Sequence, residues 1–480
     1  MHHRIRKVLI GLMFLASSSL HAQQQPNIIL IIGDDISQED IGCYGNPSIR
    51  TPHIDRLAAN GLKFTNAFVT SSSCSPSRCS IISGRYPHNT GAAELHNPLP
   101  AHLAYFPELL KNAGYYTALA GKWHEGPNTK RAYDTLMGGK KINGDGGEEQ
   151  WLNLIAHRPK NKPFFFWLAP FDAHRNWGAD NNGSWQHHPD SVTVPPTLID
   201  NPATRRDIAS YYNEIGRLDY YLGELNKALE QQGIADNTLI IFMADNARPF
   251  PGSKTRLYDR GVKTPFILQW PKSIARGGVC SSLVSSIDIA STLLELAGLK
   301  PAETFQGKSF AKLLRHPEQP FRNYVFAEHN WHDYEACERS VRTKDFFYLL
   351  NLRPQLSNVG AKDVNTGASA LALHKAAGNL TALQADPYIA PRPAEELYDL
   401  KNDPAQEHNL VNDPAYKKQL AELKKILSQW RTQTADTTPE QLSPDWYDRR
   451  TSEPVAGRGK RGEMPGAAKQ ADRVNHKGPF

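Results

Sequence analysis

Asn27–Gly33 reads NIILIIG, an isoleucine-rich apolar run that begins after Pro26 and ends at the acidic pair Asp34-Asp35. A run of this length, bounded by proline and polar residues, is typical of a β-strand that is buried on both faces. Strands of this kind belong to parallel sheets, because helices cover both sides of such a sheet. We therefore expect an α/β domain built on a mostly parallel sheet.

The same pattern recurs further along the chain, with helical patterns between the runs. Further strand-like runs cover residues 116–120, 163–169, 238–243 and 264–270. Apolar residues at helical spacing cover residues 54–60, 106–113, 206–232 and 286–297. This alternation predicts a large sheet flanked by helices.

Polar side chains follow four of these runs at the point where each strand is expected to end. They are Asp34, Asp35, Lys122, His124, Asp172, His174, Asp245 and Asn246. The carboxyl ends of parallel strands meet at one edge of a sheet, and the sites of open α/β proteins lie there. One such coincidence is common in any chain, whereas four together predict a shared polar site.

The character of the chain changes after about Pro317. Strand and helix patterns beyond this point cover residues 324–328, 342–350, 396–400 and 415–432, the last being an amphipathic helix. We predict a catalytic domain over 23–317 and a smaller α+β subdomain with an antiparallel sheet over 318–443, which a chain of 480 residues can accommodate. Residues 444–480 are rich in glycine, proline and basic residues, and we expect a poorly ordered tail there.

Residues 1–22 have the layout of a secretory signal peptide. A basic segment, residues 2–7, precedes a short apolar run, residues 8–16, and Ala22 offers a small residue at a cleavage site. The apolar run is too short to span a bilayer. We therefore expect an exported protein, periplasmic or secreted, without a stable membrane anchor.

The five cysteines are odd in number and scattered in spacing. This pattern argues against a disulfide framework, and the lack of a C-x-x-C pair gives no support to a structural zinc site. An odd cysteine in an exported protein needs a chemical explanation.

The net charge of +6 is mild for this length, and much of it lies in the tail, where residues 449–480 hold eight basic and three acidic side chains. Nucleic-acid binding would require a basic stripe on a folded face, so we expect no nucleic-acid partner. A basic tail of this kind is more often a solvated end. The alternative is that it helps to hold a polyanionic substrate.

Residues 74–84 read CSPSRCSIISG. They match the pattern C-x-P-S-R-x-x-x-[LI]-[ST]-G, the formylglycine-sulfatase signature, at every fixed position. The chain therefore resembles the type I formylglycine-dependent sulfatases of the alkaline phosphatase superfamily. The resemblance covers about residues 26–430 and implies an α/β, alkaline-phosphatase-like fold: a large mixed, mostly parallel sheet flanked by helices, and a smaller C-terminal α+β domain with an antiparallel sheet.

In that family a dedicated maturation enzyme oxidises the signature cysteine to formylglycine, and the resemblance implies the same change at Cys74. A sulfate monoester is a stable anion that repels ordinary nucleophiles. The hydrated aldehyde offers one hydroxyl to attack sulfur, and its second hydroxyl later expels sulfate, which divides one difficult step into two. Cationic side chains must stabilise the charge on the sulfuryl oxygens. Arg78 is placed to contact the hydrate through its forked guanidinium.

The candidate metal ligands are Asp34 and Asp35 after the first strand and Asp245 and Asn246 after the fourth, completed by a hydrate oxygen of residue 74. Hard oxygen donors suit Ca²⁺ or Mg²⁺ better than zinc. The resemblance favours Ca²⁺ over Mg²⁺.

Further catalytic candidates come from other family-like segments. The resemblance implies that Lys122 binds a sulfate oxygen and that His124 contacts the hydrate. His174 resembles the histidine that serves as a general acid near the leaving group.

Lys254 is our choice for a second cation that bridges the sulfate and the leaving oxygen, and Arg256 and Lys263 remain possible. The short spacing after the Asp-Asn pair resembles the heparan N-sulfatase (sulfamidase) group, which has an arginine in this place. The identity of this cation is therefore open.

Several other polar residues are candidates for contacts with the substrate. They are His88, His96, Arg175, His329, His332, Asp333 and Arg339. The expected substrate is a sulfated oligo- or polysaccharide. N-sulfoglucosamine is one candidate sugar, and O-sulfated sugars of heparan-like or algal polymers are equally open.

Two alternatives to a sulfatase remain open on the same scaffold. The first is a formylglycine-dependent hydrolase of phosphonate or phosphate esters. A zinc phosphatase is disfavoured, because it would use serine or threonine as nucleophile and extra histidine ligands. The second alternative is a non-catalytic, exported carbohydrate-binding protein that retains a relic of the site.

Overall fold

The computed structural model describes residues 25–178, 185–464 and 473–480. The expected signal peptide, residues 1–22, lies outside this part of the chain. The described residues form a large sheet, a short two-stranded sheet and a separate four-stranded sheet. Within the described ranges, no helix has both the length and the apolar character needed to cross a bilayer.

The large sheet is mixed and mostly parallel, as expected. The first ten strands are β1 (Asn27–Gly33), β2 (Leu62–Phe64), β3 (Ala67–Phe68), β4 (Tyr116–Gly121), β5 (Thr135–Gly138), β6 (Phe164–Ala169), β7 (Thr238–Ala244), β8 (Phe266–Gln269), β9 (Gly278–Cys280) and β10 (Val284–Ser285). Eight of them lie in the order β5-β4-β6-β1-β7-β8-β2-β9, and β3 pairs with β10. β1 is parallel to both of its neighbours, β6 and β7. β8 runs antiparallel to β7 and to β2, so the fifth predicted run supplies the mixed character of the sheet.

Helices lie on both faces of the large sheet and on the smaller sheet. They are α1 (Pro52–Ala59), α2 (Cys74–Ser83), α3 (Phe106–Asn112), α4 (Lys140–Asn143), α5 (Trp151–His157), α6 (Pro202–Gln231), α7 (Asp259–Val262), α8 (Asp288–Leu296), α9 (Lys362–Asn365), α10 (Ala368–Lys375), α11 (Ala382–Ala385) and α12 (Lys417–Gln433). The longest, α6, begins where the Asn201 side chain accepts a hydrogen bond from Thr204 N–H and where Pro202 occupies the first turn. Both features favour a helix start.

The strand β1 contributes side chains to two cores, one on each face of the sheet. Ile28, Leu30 and Ile32 belong to the first core, whereas Ile29 and Ile31 belong to the second. Successive side chains of a strand point to opposite faces, so a strand covered on both sides must be apolar throughout. Each fully buried isoleucine contributes about 1.5–3 kcal/mol of hydrophobic free energy.

The smaller sheet is antiparallel, as expected, and α12 packs on it. Its strands are β11 (Val325–His332), β12 (Tyr334–Arg342), β13 (Phe346–Asn351) and β14 (Glu395–Asp399). The sequence pattern predicts no strand at β12. Its charged residues Glu338 and Arg339 hide the strand pattern, because they are buried only as partners of Arg392 and Asp436.

The described part of the tail packs against the body of the protein, which differs from the poorly ordered end expected over 444–480. The Phe480 ring lies beneath the Arg322 guanidinium, 4.4 Å from its central carbon. The Tyr86 hydroxyl donates to the carbonyl of Lys477 at 3.3 Å. These contacts join residues far apart in the sequence, so composition alone cannot reveal them. For that reason composition predicts a solvated end here.

Candidate active site

The carboxyl ends of β4, β6, β1 and β7 lie side by side, because these strands are adjacent and parallel. Asp34 and Asp35 directly follow β1, and Lys122 directly follows β4. His174 comes shortly after β6, and Asp245 directly after β7. The edge of the sheet that the sequence indicates is therefore the edge where these polar residues meet.

Cys74 is the first residue of α2, and all ten residues of this helix are buried. Its sulfur lies 3.7 Å from Asp35 Oδ1 and 3.5 Å from Asn246 Nδ2. Burial raises the pKa of the Cys74 thiol well above its usual range. The amino end of a helix carries a partial positive charge and free N–H groups, so this position favours a nearby anion.

A compact acidic cluster surrounds the Cys74 sulfur. Single carboxylate oxygens of Asp34, Asp35 and Asp245 lie with that sulfur within 4.8 Å of one another. Asn246 joins the cluster, because its Nδ2 donates to Asp245 Oδ1 at 2.8 Å. All four predicted protein ligands therefore come together beside residue 74.

The donor atoms of this cluster fit a hard divalent cation. Asp34 Oδ1 and Asn246 Oδ1 are buried and have no hydrogen-bond partner within the described residues. A buried polar atom left unpaired costs about 1–3 kcal/mol, and coordination of a cation removes that cost. Carboxylate and amide oxygens are the ligands that Ca²⁺ and Mg²⁺ prefer, whereas zinc prefers nitrogen and sulfur.

Two basic side chains balance the acidic cluster on the side of α2 and β4. Arg78 Nε donates to Asp245 Oδ2 at 2.7 Å, and Lys122 Nζ donates to Asp34 Oδ2. Burial raises the pKa of Asp245 to about 6 against the opposing effect of Arg78. Arg78 Nη1 and Nη2 make no hydrogen bond within the described residues, so the guanidinium retains donors for a further partner.

Lys254 provides the third cation of the cluster. Its Nζ donates to Asp35 Oδ2 at 2.7 Å. Burial raises the pKa of Asp35 to about 6, although Lys254 acts against this shift. Of the two alternatives, Arg256 pairs with Asp386 at 2.6 Å, and Lys263 lines a separate cavity. Lys254 is therefore the candidate that the fold brings to residue 74.

His174 lies at the edge of this cluster, next to an acidic residue that the sequence analysis did not single out. Its Nε2 is 3.9 Å from Asp35 Oδ2 and 3.6 Å from Asp363 Oδ2. Asp363 Oδ2 also lies 3.5 Å from Lys254 Nζ. Asp363 is in α9, remote from the ends of the large sheet in sequence, and no motif there indicates its position.

Three further predicted histidines lie close to the cluster. His124 Nε2 and His96 Nδ1 are 2.8 Å apart, and the His96 backbone N–H donates to Ser75 Oγ at 2.7 Å. His332 Nδ1 lies 2.8 Å from Ser73 Oγ, one residue before the signature cysteine. Burial lowers the pKa values of His124 and His332 well below the ordinary range for histidine.

Asp333 borders the same region from the smaller sheet. Its Oδ2 accepts a hydrogen bond from Lys362 N–H at 2.9 Å and lies 3.9 Å from His332 Nε2. This contact links the end of β11 to the start of α9, which also carries Asp363.

His88 and Arg339 lie elsewhere, in a buried polar network, which differs from the pocket-lining role expected for them. His88 Nδ1 is 2.8 Å from Glu328 Oε1, and Arg339 donates to both Asp436 oxygens at 2.7 and 2.8 Å. The four side chains are almost fully buried. Removing one partner of a buried ion pair leaves an uncompensated charge, so this network stabilises the contact between the segment after α2, the smaller sheet and the end of α12.

Arg175 and His329 are also engaged inside the protein. Arg175 donates to both oxygens of Asp207, at 2.9 and 2.7 Å, and its guanidinium carbon lies 4.7 Å from the Trp177 ring centre. His329 is buried, and burial lowers its pKa to about 4. His329 Nδ1 has no hydrogen-bond partner within the described residues, and His329 lines a small cavity together with His332. The substrate-binding roles of Arg175 and His329 stay predictions.

Comparison with protein families agrees with the sulfatase resemblance of the segment around Cys74. The family model described as Sulfatase matches residues 26–299, more than half of the chain. A second model, described as N-sulphoglucosamine sulphohydrolase, C-terminal, matches residues 253–352.

Individual relatives cover most of the chain. It is 30% identical over 475 residues to an ulvan-active sulfatase of Formosa agariphila, with 88% of this chain and 77% of that protein covered. It is 30% identical over 469 residues to the N-sulphoglucosamine sulphohydrolase of Homo sapiens, with 87% and 92% covered. A solved structure in complex with its substrate D-glucosamine-2-N,6-O-disulfate shares the fold, with a TM-score of 0.67, 20% identity, and 86% and 99% of the two chains covered.

The fold and the site define a hydrolase with an alkaline-phosphatase-like sheet and, at its carboxyl edge, an acidic cluster that could hold a metal ion. The chain belongs to the sulfatase family. It is an enzyme that hydrolyses sulfate groups, and the mechanism general to this family uses formylglycine and a divalent metal ion.

Proposed function

We propose that this sulfatase removes sulfate from a sulfated carbohydrate, either as an O-sulfate ester or as an N-sulfate, with formylglycine at position 74 and Ca²⁺ as the divalent ion. The observation that carries the proposal is the convergence of Arg78, Lys122 and Lys254 on the buried amino end of α2. Three cations and a helix terminus around one side chain favour a small tetrahedral anion.

The basic side chains have complementary tasks. Arg78 orients the group at position 74 through its free guanidinium donors, while its Nε is fixed by Asp245. Lys122 and Lys254 supply ammonium donors to sulfate oxygens from opposite sides of β1. Donors that are already in place stabilise the charge of the transition state without a reorganisation cost.

The remaining chemistry depends on the two groups that are general to the family, formylglycine and a divalent metal ion. Formylglycine, once formed from Cys74 by a maturation enzyme, supplies the attacking hydroxyl. The oxygens of Asp34, Asp35, Asp245 and Asn246 would hold the divalent ion, which would supply Lewis-acid polarisation at this position. The oxygen-only protein donor set suits both Ca²⁺ and Mg²⁺, and the resemblance to the family favours Ca²⁺.

The relatives support a sugar substrate but point to more than one linkage. The human relative is a sulphohydrolase of N-sulphoglucosamine, and the Formosa relative is active on ulvan. The solved structure binds a glucosamine that carries both an N-sulfate and a 6-O-sulfate. We therefore propose a sulfated oligo- or polysaccharide as substrate, with N-sulfoglucosamine and O-sulfated sugars as the two classes to separate.

Sulfate release from defined saccharides tests this function. We expect protein produced with a formylglycine-generating enzyme to release sulfate from N-sulfoglucosamine, from O-sulfated glucosamine or from an ulvan oligosaccharide, measured by ion chromatography. An aryl sulfate and an aryl phosphonate are run in parallel, and the Cys74→Ala protein is the control. Turnover of the phosphonate alone, with no saccharide desulfated, would contradict the proposal.

We expect replacement of His174 by alanine to affect poor leaving groups most. His174 is proposed to protonate the departing oxygen or nitrogen, and general acid catalysis contributes roughly 10²–10⁴-fold when the leaving group is poor. kcat should therefore fall much further for a sugar sulfate than for a nitrophenyl sulfate, whose leaving group needs little protonation.

The matched control for this experiment is His102→Ala, because His102 is an exposed histidine outside the cluster. It should leave both kcat values unchanged. Equal losses on the two substrates in the His174→Ala enzyme would remove the acid role.

We also propose export to the periplasm or the medium. The support is the layout of residues 1–22 in the sequence. A sulfated polysaccharide is too large to enter a cell freely, so an enzyme that acts on it is expected on the outside.

A further inference from the structure

The tail contains a short basic segment, residues 456–464, that lies beside the active site. Three of its nine residues are basic and one, Glu463, is acidic. Arg458 and Lys460 are exposed, and Arg461 is half-buried. Composition predicts a solvated end here, but the structure gives the segment a fixed position.

Arg461 anchors the basic segment to the body of the protein. Its guanidinium carbon lies 3.9 Å from the Trp331 ring centre and 4.5 Å from that of Trp446. Its Nη2 donates to the Leu95 carbonyl at 2.7 Å, and its Nη1 lies 3.2 Å from Glu94 Oε2. Stacking on two rings together with hydrogen bonds fixes the course of the segment.

The anchoring points adjoin the residues of the catalytic pocket. Arg461 contacts Leu95, and the next residue, His96, has its Nδ1 2.8 Å from His124 Nε2. Arg461 also lies over Trp331, and the next residue, His332, has its Nδ1 2.8 Å from Ser73 Oγ. The basic segment therefore forms part of the rim of the site at residue 74.

A second row of contacts leads from the rim to Arg458. The Arg458 guanidinium carbon lies 5.3 Å from the Tyr447 ring centre and 5.7 Å from that of Trp446. Lys362 Nζ lies 5.4 Å from the same tyrosine ring, and the next residue is Asp363 of the pocket. Cationic and aromatic groups thus continue outward from the catalytic cations.

The exposed cations of the segment form no ion pair within the described residues, although Arg458 Nη2 donates to the Tyr447 hydroxyl at 3.5 Å. Neither Arg458 nor Lys460 forms an ion pair with any carboxylate in the described ranges of the chain, and the pairing of Arg461 with Glu94 is separate from them. A guanidinium stacked on a ring still presents N–H donors at its edge, and these match the oxygens of a sulfate or carboxylate.

We infer that the basic segment 456–464, with Tyr447 and Trp446, binds a second anionic unit of the saccharide chain, next to the unit whose sulfate is removed. The inference rests on the proposed function for its substrate class. A polyanionic chain held at a second point binds more tightly, because the second contact is made at high local concentration. The aromatic rings add a surface on which a sugar ring can pack.

Binding of short and long saccharides tests this inference without turnover. The experiment uses the Cys74→Ala protein, N-sulfoglucosamine and a heparin hexasaccharide as probes, and calorimetry at two salt concentrations. We expect Arg458→Glu with Lys460→Glu to weaken hexasaccharide binding about tenfold, and to reduce its salt dependence, with a much smaller effect on the monosaccharide.

A matched pair of charge reversals controls for net charge. Lys272 and Arg276 are also exposed, and Lys272 N–H donates to the Asp236 carbonyl before β7, at the amino edge of the sheet. Lys272→Glu with Arg276→Glu should leave the ratio of hexasaccharide to monosaccharide affinity unchanged.

The possible outcomes separate this inference from the proposed function. An unchanged affinity ratio in the Arg458→Glu, Lys460→Glu protein, or an equal fall in the control, would overturn the second binding unit even if the enzyme desulfates sugars. A selective loss of hexasaccharide binding would support it even if the matured enzyme released sulfate from none of the saccharides tested.

Discussion

Replacing Cys74 by alanine is expected to lower kcat for sulfate release by on the order of 10⁴-fold or more, as the loss of a covalent nucleophile does in other hydrolases. The other described groups of the cluster are an amide and carboxylates that accept hydrogen bonds from Arg78, Lys122 and Lys254, so these carboxylates are poorer nucleophiles than a hydrated aldehyde. Relative to the matured enzyme, the change removes only the small oxygen-bearing group of a single buried residue, so Tm should move by no more than a few degrees. Steady-state kinetics and thermal unfolding of the matured proteins check both statements.

Cys79 offers a matched control within the same helix. It is as buried as Cys74, but it occupies a free position of the signature and packs in the apolar core. Cys79→Ala should cost a comparable amount of stability and retain turnover. If the Cys74→Ala enzyme kept its activity, the aldehyde mechanism would be excluded.

Removal of the divalent ion should have the next largest effect. Without the ion, the carboxylates of Asp34, Asp35 and Asp245 remain together in the pocket and repel an anionic substrate. We expect exhaustive chelation to abolish turnover and Ca²⁺ to restore it. Bound ion stabilises the folded state by about 2.7 kcal/mol at a concentration one hundred times its Kd, so chelation should also lower Tm.

The ligand variant Asp245→Ala should show the same two effects and resist rescue by Ca²⁺. Asp236→Ala is a suitable control, because Asp236 is exposed before β7 and outside the cluster. Full activity in chelated protein shown by elemental analysis to contain no divalent ion would refute a role for the metal.

The central sheet could be predicted from the sequence because its signals are local. The run NIILIIG is apolar on both faces, and the polar residues that follow β1, β4, β6 and β7 mark one edge of the sheet. The position of Cys74 beside this edge was implied by a motif and by nothing in the periodicity. The distances around its sulfur agree with that implication.

The residues that escaped prediction depend on contacts between distant parts of the chain. Asp363 reaches Lys254 from the smaller domain, and no local pattern around it reports this proximity. His88 and Arg339 are polar residues that were expected to line the substrate pocket, yet each is buried beside an acidic partner far away in sequence. Such ion pairs are formed only in the tertiary structure, so the hydropathy of the sequence does not predict which charged residues are buried.

The burial of α2 has a consequence for the timing of synthesis. In the finished protein Cys74 is 2% exposed, so another enzyme could reach its thiol only before the helix is enclosed. Asn246, which contacts the Cys74 sulfur, directly follows Asp245 at the end of β7 and is made long after Cys74 in the chain. Any oxidation of Cys74 by a maturation enzyme would therefore have to precede the folding of this region.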